Sequence, residues 1–178
     1  MKTYIALLKG INVGGHKKVP MAELRELLSE NGLENVQTYI QSGNVIFQSS
    51  EVNFQKLENS IQMSIIDQFG FEVAVVVKTR AQLKQIFDDC PFSEEKKKTS
   101  YFTMLHDVPN IDLVKVASEK VYEGEYYEII RDCIYFYCAK GYGQAKFNMS
   151  LFERKLKTFG TSRNYNTMIK LLAMSMEN

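Results

Sequence analysis

The chain has 178 residues and a formal net charge of +1; apolar side chains make up 45% and charged ones 24%. A compact chain of its mass, 20.5 kDa, buries roughly 70% of the surface its unfolded form exposes, so it can build a core without disulfide staples. The composition excludes disordered, collagen-like and coiled-coil classes, no apolar run is long enough to span a membrane, and the near-zero charge gives no global drive toward nucleic acid.

Residues 3–9 read as a strand buried on both faces, because both parities are apolar. Met1-Lys2-Thr3-Tyr4 leads straight into it, so no signal peptide is expected. A glycine-rich loop, residues 10–18, follows. Pro20 opens a helix with the stripe Met21, Leu24, Leu27 and Leu28, which Asn31-Gly32 ends. Residues 36–41 and 44–48 form a hairpin turning at Ser42-Gly43. Phe54, Leu57, Ile61, Ile65 and Phe69 recur at helical spacing up to Gly70, and residues 72–78 form a strand. The order β-α-β-β-α-β is the split βαβ of ferredoxin-like domains.

A short helix, residues 81–88, leads to Cys90-Pro91-Phe92, and the charged run 93–98 reads as a solvated connector. The pattern then restarts: a strand at 101–106, a helix at 111–119, a hairpin of 125–131 and 133–139 turning at Asp132, and a helix at 150–158. A helix over 163–176, capped by Thr161 or Ser162, closes the chain. The fold class is therefore α+β, with two ferredoxin-like βαββαβ-type halves related by duplication. The second half is expected to end in a helix instead of a fourth strand. The halves are placed at 1–92, which includes the connecting helix, and 93–178.

Three cysteines, Cys90, Cys133 and Cys138, have no Cys-x-x-Cys spacing, and the two histidines, His16 and His106, fall in no ligand cluster. Neither a disulfide framework nor a metal site is expected, and no cofactor is implied. Free thiols fit a reducing, cytoplasmic setting. No Ser–His–Asp order or paired-carboxylate motif marks a catalytic centre, so the catalytic residues stay unassigned.

The expected strand order 4-1-3-2 brings the loop 10–18 beside the hairpin Gln41-Ser42-Gly43-Asn44, at one edge of the sheet. Charge points to the same place. Residues 1–20 hold Lys2, Lys9, Lys17 and Lys18 and no acid, whereas residues 21–72 hold eight acids against Arg25 and Lys56. A second basic stretch, 138–170, carries seven Lys and Arg residues against Glu153 alone. Gly10 and Gly15 have Walker A spacing, but His16 and Lys17 stand where Lys and Ser/Thr are required. What remains is a general anion-binding loop, and a small phosphate-bearing ligand suits it. Its candidate residues are Lys9, Asn12, Gly14, Gly15, Lys17 and Lys18, with Gln41, Ser42 and Asn44 from the hairpin. From the polar segment before the last helix, Arg163 would clamp the anion and Asn164 and Asn166 would hydrogen-bond to it. Single-stranded nucleic acid along the basic segments is the alternative, although the third strand, Asn44-Val45-Ile46-Phe47, lacks base-stacking aromatic pairs. A protein-interaction module is the other.

Lys9-Gly10-Ile11-Asn12-Val13-Gly14-Gly15 with Lys18-Val19-Pro20-Met21 resembles the opening of the bacterial family known as domain of unknown function 1697. The segment from Thr38 through Gln41-Ser42-Gly43-Asn44 to Val45 is similar to its second signature. Thr161 and Arg163-Asn164-Tyr165-Asn166-Thr167 are similar to its third, where the family often has Trp at the position of Tyr165. The resemblance spans nearly the whole chain. It implies a two-part α+β architecture with ferredoxin-like halves and no established activity, ligand or catalytic residue.

Overall fold

The computed structural model describes residues 1–176; Glu177 and Asn178, the end of the second expected half, lie outside the described residues. By internal contacts the chain forms two compact units. One comprises residues 1–84 with the C-terminal segment from Lys170, the other residues 85–169.

In the first unit β1 (Lys2–Leu8), α1 (Met21–Glu30), β2 (Glu34–Tyr39), β3 (Asn44–Ser49), α2 (Phe54–Phe69) and β4 (Val75–Thr79) follow in order. The sheet order is β2-β3-β1-β4, all antiparallel, as the split βαβ reading requires. Alternation along β1 sends Tyr4, Ala6 and Leu8 toward Leu24, Leu28, Leu57, Ile61 and Ile65 of the two helices. The opposite parity, Ile5 and Leu7, is equally buried. Both faces of the central strand are therefore core, which is why it carries no polar alternation. α2 begins at Asn53, whose side chain accepts from Lys56 N, and ends at Gly70 in the left-handed region.

α3 (Arg80–Asp88) follows β4 directly, and its residues 85–88 belong to the second unit. There α4 (Glu94–Lys97), β5 (Tyr101–Leu105), α5 (Ile111–Ser118), β6 (Glu125–Ile130), β7 (Cys133–Cys138), a short 3-10 turn (Tyr142–Gln144), α6 (Met149–Leu156) and β8 (Gly160–Asn164) follow, and then α7 (Tyr165–Met174), whose residues from Lys170 on belong to the first unit. The sheet order β6-β7-β5-β8 repeats that of the first unit. Leu105, Ile134, Phe152 and Leu156 form the core beneath α5 and α6.

Two sequence expectations are corrected here. The second half does close with a fourth strand: Gly160-Thr161-Ser162-Arg163-Asn164 pairs antiparallel with β5. It was invisible as a strand because it has no apolar residue, and Thr161 and Ser162 lie within it instead of capping the last helix. Its approach to β5 leaves no room at Gly160, where a Cβ would lie 2.9 Å from Met104 O. The helix begins two residues later than expected, capped by Asn164, whose Oδ1 accepts from Thr167 N at 2.9 Å. The run 93–98 is also not a solvated connector throughout. Ser93 caps α4, and Lys97 is buried with its ammonium 4.1 Å from the centre of the Phe87 ring.

Candidate functional site

At the end of β1 three loops are stitched together. Leu8 N donates to Gly43 O at 2.8 Å and Lys9 N to Ala74 O at 2.9 Å. Gly43 sits at φ 76° with its α-carbon against β1: an added Cβ would lie 2.6 Å from Leu8 Cβ. Only glycine satisfies both the backbone angle and the contact. Asn44, beside it, is fully buried, and its Nδ2 donates to Tyr39 O and Ser42 Oγ.

Asn12 is the hub of the glycine-rich loop. It adopts φ 55°, a left-handed conformation that asparagine tolerates better than most residues. Its Nδ2 donates to Val19 O (3.0 Å) and to Gln41 O (2.8 Å), and its Oδ1 accepts from Val19 N (2.9 Å). One side chain thus closes its own loop and ties that loop to the hairpin. Beyond it the chain makes a tight turn, Val13 to His16, through Gly14 and Gly15 at φ 58° and 79°. The turn, with Lys17 and Lys18, projects into solvent. Lys17 Nζ donates to Glu72 O at 2.7 Å, which fastens the base of the turn to the third loop.

The nine N-terminal candidates therefore come together at one end of the first sheet, but in different roles. The side chains of Asn12 and Asn44 hold the scaffold. Gly14, Gly15 and Lys18 are exposed, as are Gln41 and Ser42 on the neighbouring hairpin, and Lys9 is half-buried. His16, absent from the sequence-based set, stands exposed between Gly15 and Lys17. The other three candidates belong to the β8–α7 junction of the second unit. Arg163 is buried, and its Nη1 donates to Thr161 Oγ1 (2.7 Å) and Ser162 O (2.8 Å). Burial pulls its guanidinium down to about 10, so it is still charged at neutral pH. Asn164 caps α7, and Asn166 is exposed on its first turn.

Among the described residues no group of three or more His, Cys, Asp or Glu side chains is arranged to hold a metal ion. No described helix is long and apolar enough to cross a membrane. Neither sheet offers its central aromatics as a stacking platform: Tyr4, Phe47, Phe102, Tyr135 and Phe136 are all buried. Lys96, Lys120 and the tyrosines around β6, which line a groove of the second unit, were not singled out from the sequence. The density of Tyr122, Tyr126 and Tyr127 was the available signal, and it gains meaning only once β6 is known to be an edge strand.

Two units with the same β-α-β-β-α-β order and the same sheet order define a duplicated ferredoxin-like α+β protein with a polar, basic loop cluster at one sheet end. A family model described as "Protein of unknown function (DUF1697)" matches residues 1–135, and the chain belongs to that family. Among solved structures it is similar to the conserved bacterial protein SP0830 from Streptococcus pneumoniae. The TM-score is 0.79 at 24% identity, with 98% of each chain covered, and this likeness carries the fold alone. Among curated proteins none matches.

Proposed function

We propose that the turn Val13–Lys18, together with the hairpin Gln41–Asn44, binds a small anionic ligand, with a phosphate-bearing metabolite as the best fit. The observation that carries this is the Asn12 amide, which fixes the basic turn against the hairpin at 2.8 Å from Gln41 O. A tethered turn presents its main-chain N–H groups and its cations together, and preorganised donors of this kind suit an oxyanion. Lys9, Lys17 and Lys18 supply the charge; the one acid in the stitched loops 9–20, 40–43 and 70–74 is Glu72. His16, exposed in the same turn, adds a ring N–H donor.

Thermal-shift measurements at fixed ionic strength, with inorganic phosphate, pyrophosphate, nucleotides and sugar phosphates, test this. A ligand present at a hundred times its Kd adds about 2.7 kcal/mol of apparent stability. The expected result is an upward shift with at least one phosphate compound, lost in His16→Ala/Lys18→Ala. A shift that survives in that double variant, or no shift with any of these compounds at millimolar concentration, overturns the proposal.

A further inference from the structure

The second unit has a groove of about 360 Å³ lined by Tyr126, Tyr127 and Glu128 together with Phe92, Lys96 and Lys120. Successive strand residues point to opposite faces of a sheet. A concavity lined by Tyr126, Tyr127 and Glu128 in succession therefore runs along the edge of β6, and the sheet order places β6 at that edge. Its main chain is open there. Ala139 N donates to Gly124 O, and the register Ile130↔Cys133 closes the hairpin turn at Arg131. By antiparallel alternation Tyr126, Glu128 and Ile130 then exchange bonds with β7, while the N–H and C=O groups of Tyr127 and Ile129 face outward.

The two walls carry matching chemistry. On one, the Lys96 ammonium lies over Tyr126 and Tyr137, 4.8 and 5.3 Å from the ring centres. On the other, Lys120 lies over Tyr122 at 5.4 Å. The Tyr122 hydroxyl is buried with no hydrogen-bond partner, a donor left over in the wall. Of the two acids in the groove, Glu125 is turned away, its carboxylate accepting from Lys146 N and Phe147 N; Glu128 alone opposes the lysines.

We propose that the open edge of β6 docks an acidic peptide in extended conformation, which adds to the second sheet as a fifth strand. Main-chain pairing with Tyr127 and Ile129 gives the affinity, as in other strand-addition complexes. Lys96 and Lys120 select acidic side chains, one from each wall, and Tyr126 and Phe92 give apolar side chains a surface.

The test uses the full chain and a fluorescein-labelled hexapeptide of two valine-glutamate-glutamate repeats, which carries glutamate on both faces of an added strand, followed by fluorescence anisotropy at low salt. Three comparisons are made: the same peptide with lysine for glutamate, the same peptide N-methylated throughout, and the protein variant Lys96→Glu/Lys120→Glu. Each is expected to weaken binding by about tenfold or more. Hydrogen exchange should show the Tyr127 and Ile129 amides gaining protection when the peptide binds. Equal binding of the N-methylated peptide, equal binding of the lysine peptide, or no binding at 1 mM peptide (~1 mM, a weak-affinity limit) each overturns the proposal. So does sedimentation showing that a second copy of the chain occupies the edge. The peptide comparisons leave the protein unaltered, so they stand even if the double variant fails to fold.

Discussion

Replacing Asn12 by alanine removes three hydrogen bonds at once, those to Val19 O, Gln41 O and from Val19 N. A typical intramolecular hydrogen bond contributes about 1 kcal/mol net. Val19 is buried, so its N–H loses its acceptor where water reaches it poorly. Alanine must also hold the left-handed backbone of φ 55°, at a further cost of about 1–2 kcal/mol. The terms overlap, since a loop freed from its tie can relax, and a loss of about 3 kcal/mol is expected for Asn12→Ala. Asn12→Gly keeps the backbone angle without strain and should lose about 2 kcal/mol, which isolates the side-chain bonds from the conformational term. Urea unfolding of the full chain gives the two differences. Hydrogen exchange at the Val19 amide reports the same bond locally and does not depend on how cooperatively the two units unfold. A loss below about 1 kcal/mol for alanine, or a glycine variant as stable as the parent, would refute the hub role of Asn12.

Three further outcomes are expected. Gly43→Ala should destabilise by about 2–4 kcal/mol in urea unfolding, from left-handed strain plus a Cβ forced onto Leu8, and a change under ~1 kcal/mol would contradict the close approach. Glu125→Ala removes a carboxylate that accepts two main-chain N–H groups and should cost about 2–4 kcal/mol by the same assay, with Glu125→Gln retaining roughly half; a Gln variant as stable as the parent would show that the charge is irrelevant. In native thiol labelling Cys90 alone should react, because Cys133 and Cys138 are buried. Burial raises the Cys90 thiol, the charge of Lys97 only partly opposing it. At any pH below its raised pKa it holds less thiolate than a free cysteine, so its labelling should be slower at neutral pH and should climb steeply as the solution is made alkaline. Faster labelling than free cysteine at neutral pH would contradict the burial.

The first unit was legible because its signals are periodic and apolar: residues buried on both parities in β1, a helical stripe ending at Gly70, and a hairpin with glycine where φ must be positive. Those signals also fixed the strand order, and so the meeting of the two loops, before any coordinates. What the sequence could not separate was scaffold from site. Asn12 and Asn44 are polar residues in polar loops, and such residues look alike whether they point to solvent or bond the neighbouring main chain. Only the geometry shows that both amides are engaged inward while His16 and Lys18 stand outward. α4 was missed for a related reason, since the ammonium of a buried lysine can lie over the Phe87 ring in a run that reads as solvated charge.

The polar segment before the last helix shows how this bears on where a ligand could act. Thr161 to Thr167 reads as a binding motif, yet strand alternation divides it. Arg163 and Thr161 face the same side and bond each other, Ser162 meets Thr103 across the strand pair at 2.6 Å, and Asn164 caps the helix. The polarity of these four residues is explained by pairing and capping within the fold. Arg163→Ala would remove a buried guanidinium together with its bonds, so a binding defect in that variant would report folding before it reported a ligand. Asn166 is the informative position, because it is exposed and heads the helix without serving as its cap. If phosphate compounds raise the melting temperature of the parent and Asn166→Ala leaves both the shift and the unliganded stability unchanged, the N-terminal loops act without this segment. A shift lost in Asn166→Ala at unchanged stability would make the segment part of the site.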